Sequence, residues 1–130
     1  MPTPTETIQN MYAAFGRGDV PALLELVSDD IEWTFHGSIG LPYMGTVRGK
    51  PAVARWFGQV AEVDGIQAFE PREFLAGPDH VTVLGWERTQ ALPRGRVFES
   101  DWIHVFSLRG GKVTRFIGSY DTAASAAARG

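Results

Sequence analysis

Trp102-Ile103-His104-Val105-Phe106, then Arg109-Gly110-Gly111-Lys112, then Val113 to Asp121: this last third of the chain decides the fold. It reads as two β-strands joined by a glycine turn. Residues two apart on a strand share a face, so His104 lies between Trp102 and Phe106 on one side of the sheet. If that face lines a cavity, the cavity is apolar with one titratable group, as small-molecule sites are. If it packs solid, His104 is a core histidine bonded to a neighbour.

Working outward, two more strands precede this pair. One runs around Ile66 to Leu75, and after the turn Ala76-Gly77-Pro78-Asp79 another runs from His80 to Ala91. Leu92-Pro93-Arg94-Gly95 then turns into the long strand from Arg96 to Leu108. The N-terminal half is helical. Thr3-Pro4-Thr5-Glu6 forms a capping box, followed by Ile8, Met11, Tyr12 and Phe15 on one face. Gly16 and Gly18 end that helix. Asp19 caps a second, with Leu23, Leu24, Leu26 and Val27 as its apolar side and Ser28-Asp29-Asp30 closing it. Ile31 to His36 alternates as a strand. Gly37 to Gly49 reads as a loop holding Tyr43 and Met44. Pro51 opens a third helix with Val53, Trp56, Phe57 and Val60 on one face. The alanine-rich tail, Thr122 to Gly130, fits a short helix or a frayed end. Helices first and an antiparallel meander after predict an α+β fold: three N-terminal helices on a strongly curved, mainly antiparallel sheet, cone-shaped with an open mouth. With no linker or repeat, residues 1–130 read as one domain.

Composition narrows the function. Net charge is −3 with scattered basic residues, which argues against nucleic acid, since phosphate binding wants a basic stripe. There is no cysteine, hence no thiolate nucleophile, disulfide or cysteine zinc site. The start of the chain lacks a signal-peptide pattern and no apolar run has membrane-spanning length. A cytoplasmic protein without a membrane partner is the expectation. Three scattered histidines give no metal ligand set, and no nucleotide fingerprint or Gly-x-Ser-x-Gly elbow is present, so no metal or cofactor is expected.

The order of elements, with Tyr12-Ala13-Ala14-Phe15 before Gly18-Asp19, the stretch Gly45-Thr46-Val47-Arg48-Gly49, Trp102-x-His104-x-Phe106 before Gly111-Lys112-Val113, and Tyr120-Asp121-Thr122-Ala123-Ala124, resembles the nuclear transport factor 2-like (cystatin-like) superfamily. Within it the chain is most similar to the SnoaL-like polyketide cyclase and ketosteroid isomerase branch. The resemblance implies an apolar small-molecule partner, and homodimers paired through outer sheet faces; here Glu99, Asp101, Ile103 and Val105 make a mixed outer face. It implies that His104 matches the cyclase histidine and that the paired aspartate's place falls at Gly118. Asp121, three residues on, points to the opposite face. The isomerase base would sit at the end of the first strand, where Trp33-Thr34-Phe35-His36 offers no carboxylate except Glu32. Tyr12 matches the isomerases' tyrosine donor, and their acid's place falls near Ile103 or His104, with Asp101 nearby. Arg88 and Asp101 could supply two members of the Asp-Arg-Asp set of the limonene epoxide hydrolase branch.

The candidate catalytic residues are therefore His104 as acid/base, Tyr12 as hydrogen-bond donor and His36 as a replacement base. The candidate ligand-binding residues are Trp33, Tyr43, Trp56, Trp86, Arg88, Trp102, Phe106, Phe116 and Tyr120. Glu87 and Arg88 cannot both point inward. The alternative for His36 is an exposed strand end, and for Tyr12 and each tryptophan it is ordinary core. Two functions follow: a cofactor-independent isomerase or cyclase acting by proton transfer on an apolar cyclic ligand, or a non-enzymatic binding or dimerisation module; an epoxide-hydrolase-like activity is a third.

Overall fold

A computed structural model describes residues 2–130. Helix α1 (Pro4–Gly16) begins with the expected capping box: Glu6 N–H donates to Thr3 Oγ1 at 3.1 Å and Thr3 N–H to Glu6 Oε1 at 2.9 Å. It buries Ile8, Met11 and Ala14. Asp19 caps α2 by accepting from Ala22 N–H, but this helix spans only Val20–Leu24. Strand β1 (Val27–Phe35) starts four residues earlier than expected. Val27 thus belongs to a strand, not to the apolar side of a helix. A run such as Leu23-Leu24-Glu25-Leu26-Val27 fits either period, and the sheet wins because Val27 pairs with Val113.

The expected loop contains a short strand, β2 (Gly45–Arg48), antiparallel to β1. Helix α3 (Lys50–Val63) follows Gly49, whose φ of +85° suits glycine. The meander β3 (Asp64–Ala76), β4 (His80–Ala91), β5 (Val97–Arg109) and β6 (Lys112–Tyr120) completes one mixed, unclosed six-stranded sheet in the order β2-β1-β6-β5-β4-β3. Its one parallel pair is β1 with β6. The tail forms α4 (Thr122–Arg129), capped by Asp121, which accepts from Ala124 N–H. The fold is thus α+β, with a fourth helix added.

Alternation fixes what the helices cover. On β5 the even residues Phe98, Ser100, Trp102, His104 and Phe106 are buried. On β4 the odd ones are: Val81, Val83, Gly85, Glu87, Thr89 and Ala91. On β1, Ile31, Trp33 and Phe35 turn inward. Register shifts in β3 between Ile66 and Ala68 and between Pro71 and Glu73 mark bulges, which bend a sheet. The helices lie across the concave side so formed. At its centre a ring of aromatic side chains joins Ile8, Met11 and Val53 in one core.

Candidate active site

The inward face is not packed solid. Between α1, α3 and the sheet lies a cavity of about 80 Å³, several times the ~10–15 Å³ that one water needs. Tyr12, Trp33, Tyr43, Trp56, His104, Phe106, Phe116 and Tyr120 all line it. Helix α1 supplies Tyr12 because Ile8, one turn earlier, anchors the same side to the core.

Tyr12 Oη lies 2.7 Å from His104 Nδ1, joining α1 to β5 across the cavity wall. The imidazole is held in plane by Trp102, whose ring stacks on it at 4.0 Å and 22°. Phe116 meets it edge-on at 4.9 Å. Trp102 can lie flat only because Gly85 stands opposite it; a Cβ there would sit 2.2 Å from the indole. Burial among these rings pushes His104 down to about 3 and raises the Tyr12 phenol well above its ordinary range. Both groups are therefore neutral around pH 7. The second ring nitrogen of His104 makes no hydrogen bond to the described residues and is not among the fully enclosed unpaired atoms. In either tautomer the pair keeps one proton to donate and one lone pair to accept with, beyond the bond it makes internally.

A second polar group occupies the other end of the cavity. Tyr43 Oη donates to Asp64 Oδ2 at 2.7 Å, and Arg129 of α4 pairs with Asp64 Oδ1. Arg129 also donates to Val63 O at 2.8 Å. Tyr120 Oη lies 2.7 Å from Tyr43 Oη and 3.0 Å from Ser125 Oγ. Trp56 Nε1 donates to Tyr43 O at 2.8 Å, fixing the loop before β2. Burial and the negative neighbours raise Tyr43, and burial raises Tyr120.

Four expected residues lie elsewhere. Trp86 and Arg88 are on the outer face of β4, because the inward parity belongs to Val83, Gly85 and Glu87. Trp86 sits under Arg72 at 5.1 Å, and Arg88 pairs with Glu99 at 3.0 Å and with Gln67. His36 is exposed just past β1, on the Thr34 side, with only its backbone N–H tied to Gly118 O. Trp102 is buried beside His104 rather than lining the space. Glu87, which the sequence leaves as the alternative to Arg88, and Asp64 do line it, and neither is among the site residues expected above. The signal for Glu87 was available: Val81, Val83, Gly85 and Ala91 set the inward parity, and Glu87 shares it. Asp64, at a helix–strand junction, had none.

Gly118 lies directly across from His104. A Cβ there would come 2.7 Å from Phe116 and 2.9 Å from Phe35, so phenyl rings occupy the cyclase carboxylate's place. Asp121 is spent on capping α4. Asp101 is exposed on the outer face. Among the described residues no group of three or more His, Cys, Asp or Glu could hold a metal ion. No helix among the described residues is long and apolar enough to cross a membrane.

The SnoaL-like domain model matches residues 8–116, which include Tyr12, Glu87 and His104. The chain belongs to the SnoaL-like domain family. Three solved structures place this SnoaL-like chain more widely. An NTF2-like protein from Burkholderia xenovorans LB400 is 35% identical, with a TM-score of 0.86 over 97% of this chain and 95% of that one. TerC, co-crystallised with polyporic acid, is 29% identical, with a TM-score of 0.86 over 95% of each chain. A protein of ketosteroid isomerase-like fold from Catenulispora acidiphila DSM 44928 shares the fold at 19% identity, with a TM-score of 0.79 over 98% and 93% of the two chains. No curated protein matches the SnoaL-like chain in sequence.

Proposed function

We propose that this SnoaL-like domain, taking in residues 1–130, binds an apolar cyclic small molecule and acts on it by proton transfer without a cofactor. The observation that carries this reading is the neutral Tyr12–His104 pair, 2.7 Å apart, on the wall of an aromatic cavity. A carbonyl oxygen of the ligand would take the pair's free proton donor. Electrostatic stabilisation of that oxygen as it gains charge is worth most in such a dry site. The adjacent carbon would give its proton to the pair's free lone pair while the bridging proton crosses between Tyr12 Oη and His104 Nδ1 and the pair's outer proton passes to the ligand oxygen, so that an enol forms and both side chains end neutral. Burial removes imidazolium chemistry near pH 7, so His104 acts as a neutral group and Tyr12 completes its hydrogen bonding. That TerC was co-crystallised with polyporic acid supports a ring compound as ligand.

The test is a panel of polycyclic ketones, with polyporic acid, assayed for binding and turnover by wild type, Tyr12→Phe and His104→Gln. The reading expects turnover of at least one compound, lost at least tenfold in both variants while the fold persists. Turnover retained by both variants contradicts it.

One observation favours a second reading. Phe35 and Phe116 fill the space beside Gly118, so the cyclase acid/base set is incomplete. A protein that binds ligands unchanged, and pairs with a second copy through Ile103 and its neighbours on the outer face, accounts for that. Binding without turnover across the panel is its expected result.

A further inference from the structure

We propose that the ligand of this pocket carries a positively charged nitrogen and that Glu87 receives it. The proposal rests on the pocket reading above and refines it: the ligand keeps a cyclic, largely apolar body and carries one charged nitrogen. Glu87 is 8% exposed and lines the cavity. One of its oxygens, Oε1, accepts from Thr89 Oγ1 at 3.0 Å. The other, Oε2, has no hydrogen-bond partner among the described residues and is not fully enclosed. Asp64 differs in having its own cation, Arg129. Glu87 has none: no described Lys, Arg or His forms an ion pair with it. A buried carboxylate without a counter-ion is costly, and a cationic ligand removes the cost.

The walls suit the same ligand. Phe69 lies opposite Glu87 in the β3–β4 register and lines the cavity, and Phe15 of α1 packs edge-on against it at 5.1 Å. An ammonium at Glu87 would lie beside aromatic rings, which attract cations most strongly when water is excluded. The groups facing this end are Asp64 with Arg129, Ser100 of β5, Thr89, and the Tyr43–Tyr120 pair. None of these side chains brings an unmatched positive charge.

Protonation provides a second handle. Burial first, and the charge of Asp64 after it, raise Glu87 to about 7, against the lowering effect of Thr89. Glu87 is then ionised at pH 8 and neutral at pH 5.5. A cation binds the first state, so its affinity rises with pH over that range, whereas a neutral isostere is indifferent.

Benzylamine and benzyl alcohol, nearly equal in size, are the probes, titrated calorimetrically into wild type and Glu87→Gln at pH 8. The expected result is benzylamine binding wild type at least tenfold more tightly than benzyl alcohol. Glu87→Gln removes that preference and leaves the alcohol unchanged. Wild type should also lose benzylamine affinity at least fivefold between pH 8 and 5.5; this arm decides the matter if the variant does not fold. Equal affinities, or a preference that survives Glu87→Gln, overturns the inference and leaves the pocket standing. Failure of both compounds to bind overturns the inference together with the pocket reading.

Discussion

Gly118 stands directly across the β5–β6 ladder from His104, and its missing side chain is what lets Phe35 and Phe116 close on the imidazole. Restoring a carboxylate there should therefore fail. Gly118→Asp places a Cβ within 3 Å of both rings, against atoms that have little room to move. Overpacking of this kind costs about 1–3 kcal/mol, and burying an acid adds to it. Urea denaturation should show a lower midpoint, with no cyclase activity gained. A variant as stable as wild type would mean the site is loosely packed.

Removing the Tyr12 hydroxyl isolates a buried nitrogen. Tyr12→Phe keeps the ring, so its expected cost of about 1–3 kcal/mol is that of leaving His104 Nδ1 unpaired. Stability should also depend on pH through His104. Its ordinary value of 6.5 falls to about 3 in the folded state. The unfolded chain takes up this proton near 6.5 and the folded chain only near 3. The contribution is present above 6.5 and lost as pH falls toward 3. Between pH 6.5 and 4.5 the loss is on the order of 2 kcal/mol. Glu87, raised to about 7, stabilises the fold over the same fall in pH and does so in both proteins, so denaturant unfolding at pH 7.5, 6.5 and 4.5 should show the His104 loss as a decline of wild type relative to His104→Gln.

Arg129 ties α4 to the far end of the cavity through Asp64 and Val63 O. Arg129→Met leaves Asp64 buried without its cation, at a cost of about 3–5 kcal/mol. Hydrogen exchange should report α4 opening first, with Tyr43 and Tyr120 losing their order. Uniform protection in the variant would show that α4 is held by its other contacts.

Much of this was legible in the sequence, and the failures have physical causes. The capping box and the Ile8/Met11 spacing fixed α1, and the Trp102/His104/Phe106 alternation identified the inward face of β5. The strand β2 was hidden because its four residues sit at a sheet edge with only Val47 partly buried. The α2–β1 boundary was blurred by an apolar run without a period. Parity left Glu87 and Arg88 as alternatives until the neighbours on β4 were weighed. The Asp64–Arg129 pair joins residues 65 apart, which local pattern does not connect.

The outer face of β4 and β5 gives a test of assembly. Ile103 is 48% exposed and pairs in register with Leu84. We expect a dimer through this face, so sedimentation should give a dimer for wild type and a monomer for Ile103→Asp, with the fold unchanged. A wild-type monomer at high concentration would remove the face from consideration.

The central claim is that a neutral His104, bonded to Tyr12, faces the ligand. The most direct measurement is the imidazole nitrogen spectrum of His104 by NMR from pH 5 to 8, with and without polyporic acid and the ketone panel. The account predicts a neutral ring throughout, a resonance that moves when a ligand binds, and loss of that response in Tyr12→Phe. A ring that titrates near 6.5, or one that no compound disturbs, would contradict it.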